Sequence, residues 1–479
     1  MLNSSIQSKV PRRDHCSVFL RLLAILCTGL SPALAATYYV TPDGSDKNPG
    51  TSWAQAWRTL KHAGREALAG DEVIIRKGPI PYNYLHIVNS GRKDRPIIFR
   101  GESRTDPPVL SGAARVMHWI GPDQNGVWQT AIRARTILVV EGNTPLPPAS
   151  DPQCIDGYWH WAKGRLYYRP TSGTPDQHEV WFQSSGGGIT IGKHSWILVE
   201  DMKCWIGGGA CVQITGGSHN TIRRIYSKWN WRGVDITSGG NYNLLEDVRV
   251  EQAREGIYIR NGSSHNIVRR CVVTHIGNPP LWTKNDRHAV AIGEQGGTVG
   301  NVVEDCEIAY SGGPPDSAAL SCFRSPNTVF RNNHVHDNYG TGLGVYKDSQ
   351  GTVVEGNIVS HNGVPAVSSG MKGITGLTVR NSRYVTVINN RVEDNYVSPD
   401  SQWPKVYVGL HGGLDIDATS QRIPTDMSGL RLENNVTTGT VGGPDIHISR
   451  RPNLSGIRIT PAEETPAWLR NSVIPDTKN

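Results

Sequence analysis

Ionisable residues crowd three stretches of the 479-residue chain. Lys284, Asp286, Arg287, His288 and Glu294 form the first, Asp316 and Arg324 the second, Lys347 and Asp348 the third. Two arginines, a lysine and a histidine suit an acidic sugar ring. Cations neutralise its carboxylate, and a base can then remove the adjacent proton. Arg287, His288, Arg324 and Lys347 are therefore the candidates for β-elimination, with Lys372 as a further cation. Asp316 with Asp286 or Glu294 offers the rival chemistry, glycosidic hydrolysis between two carboxyl groups. Asp415 and Asp417 form a second, poorer carboxylate pair. Phe323 and Tyr346 are expected to make an aromatic wall, and Tyr258 and Asp348 to contact substrate beside it.

These residues lie far apart in sequence, so a repeat must bring them together. Five-residue units recur in one register: Gly233–Thr237, Gly256–Arg260, Ala289–Gly293, Ala319–Phe323, Gly342–Tyr346 and Gly413–Asp417. Places two and four are apolar, the period of a half-buried strand. The plain interval is 23 residues, from 234 to 257 and from 320 to 343. A period of that size predicts a solenoid. The middle place points outward and reads Gln213, Asp235, Tyr258, Ala291, Ser321, Gly344, Thr378 and Asp415. Three small residues, Ala291, Ser321 and Gly344, predict a shallow floor flanked by the charged groups. Adjacent coils stand about 4.8 Å apart, which would bring Asp286 or Glu294 near Asp316.

A second column follows each unit: Met202, Ile225, Val248, Cys271, Cys306, Asn333, Asn357, Asn390 and Asn435. Stacked asparagines at a turn can bond amide to amide and to neighbouring backbone. The column and the strand units resemble the right-handed parallel β-helix of the pectate-lyase-like superfamily, over roughly residues 37–460. The fold class that this implies is all-β: a single-stranded solenoid with an N-terminal cap and a small inserted β subdomain. Lyases of the superfamily use lysine or arginine as base, often with calcium. No adjacent aspartate cluster faces the proposed floor, so no metal ligand is assigned, and calcium stays open as a cofactor. The resemblance leaves hydrolase, epimerase and non-catalytic carbohydrate-binding or surface roles beside the lyase reading.

The first 35 residues read as a secretory signal, with Arg12, Arg13 and Arg21 before the apolar run Leu22–Leu30 and a small-residue cleavage site at Ala33-Leu34-Ala35. Export, to the outside or the periplasm, is the expectation, with no membrane span. The expected division is a signal over 1–35, cap and first coils over 36–112, insert over 113–185, β-helix over 186–460 and a tail over 461–479. The cap would pair a short helix (59–69) with the strand that follows. Asp43–Asp46 resembles a metal loop, but turn chemistry accounts for it. Trp119, Trp128, Trp159, Trp161 and Trp181 are read as core of the insert, with Trp159 or Trp161 the alternatives for sugar stacking. The net charge of +7 suits an acidic polysaccharide. The chain lacks a basic run of the nucleic-acid type. A monomer is expected. Cys204 and Cys211 could close a short loop, whereas Cys271 and Cys306 are read as stacked, buried thiols.

Overall fold

The computed structural model describes residues 35–133, 135–184, 186–277, 288–311, 318–363, 376–380, 382–395, 409–411, 429–438 and 458–460. Among these, 29 strands join in one parallel hydrogen-bonded set wound as a β-helix. The predicted register holds. Asp235 pairs with Tyr258, Tyr258 with Ala291, Ala291 with Ser321, Ser321 with Gly344 and Gly344 with Thr378. Each step is one coil. Alternation then turns places two and four inward, and Val234, Ile236, Ile257, Ile259, Leu320, Cys322, Leu343 and Val345 are all fully buried.

Three sheets run the length of the solenoid. The first contains Glu255–Ile259, Val290–Ile292, Ala318–Phe323, Thr341–Tyr346 and Leu377–Arg380. The second contains Leu244–Glu246, Ile267–Arg269, Val302–Glu304, Val329–Arg331 and Val353–Glu355. The third contains Arg249–Glu251, Val272–Thr274, Glu307–Ala309, His334–His336 and Ile358–Ser360. Two long strands, Ile197–Thr215 and Thr221–Thr237, pass through all three faces.

Asparagine amides tie the turns. Asn333 Nδ2 donates to Asn357 Oδ1 at 2.9 Å, Asn357 to Asn390 at 2.9 Å and Asn390 to Asn435 at 2.9 Å. Each also donates to a backbone carbonyl, so the buried amides are satisfied. Two further ladders run beside this one: Asn220, Asn243, Asn266 and Asn301, and Asn338, Asn362 and Asn395. Earlier in the predicted column Cys271 and Cys306 are free buried thiols, and the Cys271 N–H meets Cys306 Sγ at 3.4 Å. Cys204 and Cys211 form a disulfide.

At the N-terminal end a short helix, Leu60–Glu66, is capped by the Thr59 hydroxyl, which accepts from His62 N–H at 3.1 Å. The neighbouring Asp46 carboxylate accepts from the backbone of Arg58 and Thr59 at 2.9 Å each, so it serves a turn. The strands Thr37–Val40, Glu72–Ile75 and Ile97–Gly101 pair in parallel, and Ile97 then pairs with Ile197. The coil ladder therefore passes over residues 113–183, which fold into antiparallel sheets of three and four strands. Trp159 is buried there and donates to Leu146 O at 2.8 Å. Its sugar-stacking alternative falls away, because its ring has no open face. Trp161 packs against the same core and donates to Ile132 O at 3.1 Å.

Candidate active site

The outward column of the first sheet is buried. Asp235, Tyr258, Ala291, Ser321 and Thr378 are all under 3 % exposed. Outward positions of a lone solenoid coil would be wet, so this face is an enclosed polar surface rather than the shallow open floor expected. Gly344 shows why the floor is filled at its far end. A Cβ there would lie 2.1 Å from the Tyr346 ring, so the ring folds over the glycine.

Two arginines hold the carboxylate of Asp235. Arg260 donates from Nε to Oδ1 at 2.9 Å and from Nη2 to Oδ2 at 3.0 Å, and Arg232 Nη1 reaches Oδ2 at 3.1 Å. That bidentate bond raises the Arg260 guanidinium above its ordinary value. Arg232 also pairs through Nε with Glu255, and its guanidinium lies 5.3 Å from the Tyr258 ring. The group is satisfied and rigid.

The next coils carry His288 and Ser321. His288 Nδ1 stands 2.6 Å from the Ala318 carbonyl oxygen and 3.0 Å from Ser321 Oγ. A carbonyl oxygen only accepts, so Nδ1 carries the proton. In the neutral ring Nε2 is then the nitrogen able to take one. The His288 backbone N–H donates to the Tyr258 hydroxyl at 3.3 Å. Phe323 stands edge-on to His288 at 5.2 Å and stacks on Tyr346 at 4.9 Å. The two fifth-place aromatics thus lie ring against ring, and the Arg380 guanidinium stands 5.7 Å from the Tyr346 ring.

Cations follow the wall. Arg324 is exposed. Its backbone N–H donates to Lys347 O at 2.7 Å, and that of Lys347 to Arg380 O at 3.1 Å, so three successive coils set basic residues along one edge. Glu294 and Asp348 are half-buried on the same side of the coils.

A family model described as the right-handed beta helix region matches residues 178–292 and 283–456, together more than half of the chain. The chain belongs to the right-handed β-helix family. A curated relative, the uncharacterized protein YwoF of Bacillus subtilis (strain 168), is 45% identical over 74 residues, 15% of each chain. The chain thus spans a small part of the curated relative that it matches. Among solved structures, XylC in complex with xylose has a TM-score of 0.63 at 12% identity, covering 85% of this chain and 76% of that one. A glycoside hydrolase has a TM-score of 0.56 at 10% identity, covering 91% and 98%. These likenesses agree on the parallel β-helix fold.

On this β-helix His288, Arg324, Lys347, Phe323, Tyr346 and Tyr258 share one face. Glu294 and Asp348 sit at its margin. Arg287, Asp286, Asp316, Lys284, Lys372, Asp415 and Asp417 lie outside the described residues. The strand paired with Thr378 is Gly409–His411, so among the described residues the last outward place is Gly409, where the sequence register had put Asp415. Arg232, Glu255 and Arg260 went unnoticed in the sequence because they stand off the middle place. Their signal was an arginine three before Asp235 and another at place five of the next unit. Among the described residues this face offers calcium no ligand set. Its described carboxylates, Asp235 and Glu255, are bonded to guanidiniums, and among the described residues no group of three or more His, Cys, Asp or Glu could hold a metal ion.

Proposed function

We propose that the chain is an exported protein that cleaves a uronic-acid-containing polysaccharide by β-elimination on the first-sheet face. The observation that carries this reading is the locked tautomer of His288 beside a basic edge. In this reading the uronate carboxylate lies against Arg324 and Lys347, and Arg287 is a further cation for it. With that charge neutralised, His288 Nε2 takes the proton from the carbon next to the carboxylate. The electron pair forms the ring double bond and expels the glycosidic oxygen, which is protonated as the new chain end. Ser321 and Ala318 hold the imidazole in the reactive tautomer, a positioning role. Phe323 supplies the side wall.

Hydrolysis is the second reading, favoured by the fold likeness to a glycoside hydrolase and to XylC, whose structure holds xylose. It requires a carboxylate pair, and Asp316 with Asp286 or Glu294 is the candidate. One assay separates the two. A panel of polyuronates and neutral glycans is offered while near-ultraviolet absorbance and reducing ends are recorded together. Elimination raises both, because the new double bond is conjugated to the carboxylate, and both fall in Arg287→Ala and in Arg324→Ala. Reducing ends without absorbance, lost in Asp316→Asn, would replace elimination with hydrolysis. Binding with silence in both channels would support a non-catalytic carbohydrate-binding role.

A further inference from the structure

A groove of about 960 Å³ lies between the inserted sheets and the coils, well within the size range of ligand sites. Its coil wall is a two-by-two pattern fixed by strand register. Lys203 pairs with Tyr226 and Trp205 with Lys228, so cation and aromatic alternate along and across the coils. The insert supplies Trp181, whose ring meets Trp205 at 5.6 Å, and Trp205 meets Trp229 at 6.1 Å. Trp229 is buried and donates to Gln252 Oε1 at 2.9 Å, which anchors the row. Trp181 and Trp205 remain half-buried. Exposed Ile80 and Met117 stand at the rim, 71% and 66% exposed.

The charges of the groove are unbalanced. Arg115 pairs with Glu179 at 3.3 Å. Lys203 and Lys228 have no carboxylate within ion-pair distance among the described residues. Lys203 Nζ instead lies 6.0 Å from the Tyr226 ring, and Lys228 Nζ 4.5 Å from the Trp229 ring. On the second sheet, by contrast, Arg269, Arg270 and Arg331 all meet carboxylates. Glu251, which accepts from the Tyr226 hydroxyl at 2.7 Å, acts on Lys228 from beyond ion-pair distance. Half-buried indoles beside two ammonium groups that lack a direct carboxylate partner among the described residues match a ligand with flat apolar faces and negative charge.

We propose that this groove is a second binding site, for an anionic oligosaccharide, separate from the first-sheet face. Its indoles stack on sugar rings, and Lys203 and Lys228 take the carboxylates. The site binds whether or not the first-sheet face cleaves, so the two proposals fail separately.

The test uses the full mature chain carrying His288→Ala, to prevent turnover, with oligogalacturonate, oligoalginate and neutral xylo-oligosaccharide as probes. Indole fluorescence and titration calorimetry are read at low and high salt. The expected result is binding of at least one oligouronate that weakens with salt and is at least ten-fold tighter than that of the neutral probe. In that background Lys203→Ala with Lys228→Ala should lose it at least ten-fold, while Lys228→Arg retains it. Thermal melting checks that the fold is intact, and the lysine pair in a wild-type background should leave the cleavage rate on short substrates unchanged. Unaltered oligouronate affinity in the double lysine variant would overturn the site. Equal affinity for the neutral probe would overturn the ligand class. Absence of binding by every oligouronate would overturn both.

Discussion

The first and second sheets are built from equivalent strands of the same coils, yet their outward faces differ completely. On the second sheet the outward places carry an ion-pair ladder. Arg269 Nε meets Glu304 Oε1 at 2.6 Å and Arg331 pairs with the same carboxylate, while at the turn that follows Arg270 Nε meets Asp247 Oδ1 at 2.9 Å. The arginines of that ladder are 34–48% exposed. On the first sheet the outward places are Asp235, Tyr258, Ala291, Ser321 and Thr378, and they are buried. A solvated ladder contributes little per pair and is screened by salt. A buried polar face is costly unless every group is matched, so its persistence argues for a task. Single outward places are buried elsewhere too, Glu304 on the second sheet among them, so it is burial of the whole outward column from Asp235 to Thr378 that distinguishes the first-sheet face proposed as the site.

The sharpest way to break this contrast is at His288. His288→Ala should lower turnover by about 10² to 10⁴-fold, whereas Arg331→Ala on the second sheet should leave it unchanged. Equal losses would erase the distinction. Stability should separate the faces next. Asp235→Ala strands Arg260 from its carboxylate and leaves Arg232 with Glu255 alone, and should cost about 3–5 kcal/mol in denaturant titration. Asn357→Leu leaves the Asn333 amide and backbone N–H without their acceptor and should cost about 1–3 kcal/mol. Replacing Cys204 and Cys211 together by serine opens a short loop beside Trp205, and should cost about 2 kcal/mol in non-reducing buffer.

The smallest effect belongs to the second sheet. Burial would raise the Glu304 carboxyl, but hydrogen bonds from Arg331 and Arg269 outweigh it and hold it below its ordinary value. A carboxyl with a lowered folded value adds stability that is complete above the unfolded value, about 4.3. That stability is lost as pH falls through the lower folded value. Glu304→Gln should therefore cost about 1 kcal/mol or less at neutral pH, and the difference should vanish in acid. Melting curves at several pH values check the sign.

Much of this architecture was written in the period of the chain. Places two and four of each unit, and the column ending in Asn333, Asn357, Asn390 and Asn435, are seen once the 23-residue repeat is allowed insertions, the asparagines stepping by 24, 33 and 45 residues. The ladders of Asn220, Asn243, Asn266 and Asn301 and of Asn338, Asn362 and Asn395 carried the same signal at other turns. Burial of the outward column was not legible, because alternation says which way a residue points and not what covers it. Arg232, just before one unit, and Arg260, at place five of the next, converge on Asp235 from different coils. The lysine–tryptophan groove joins the insert to coils tens of residues away, and only the tertiary fold sets Trp181 against Trp205.

The most direct test of the central claim is the mass of the products released from a polyuronate. Elimination at the His288 face predicts that every internal cut yields an unsaturated oligosaccharide one water lighter than the saturated one, and that such products disappear in His288→Ala. Saturated products alone, or unsaturated ones formed as fast by His288→Ala, would contradict the account.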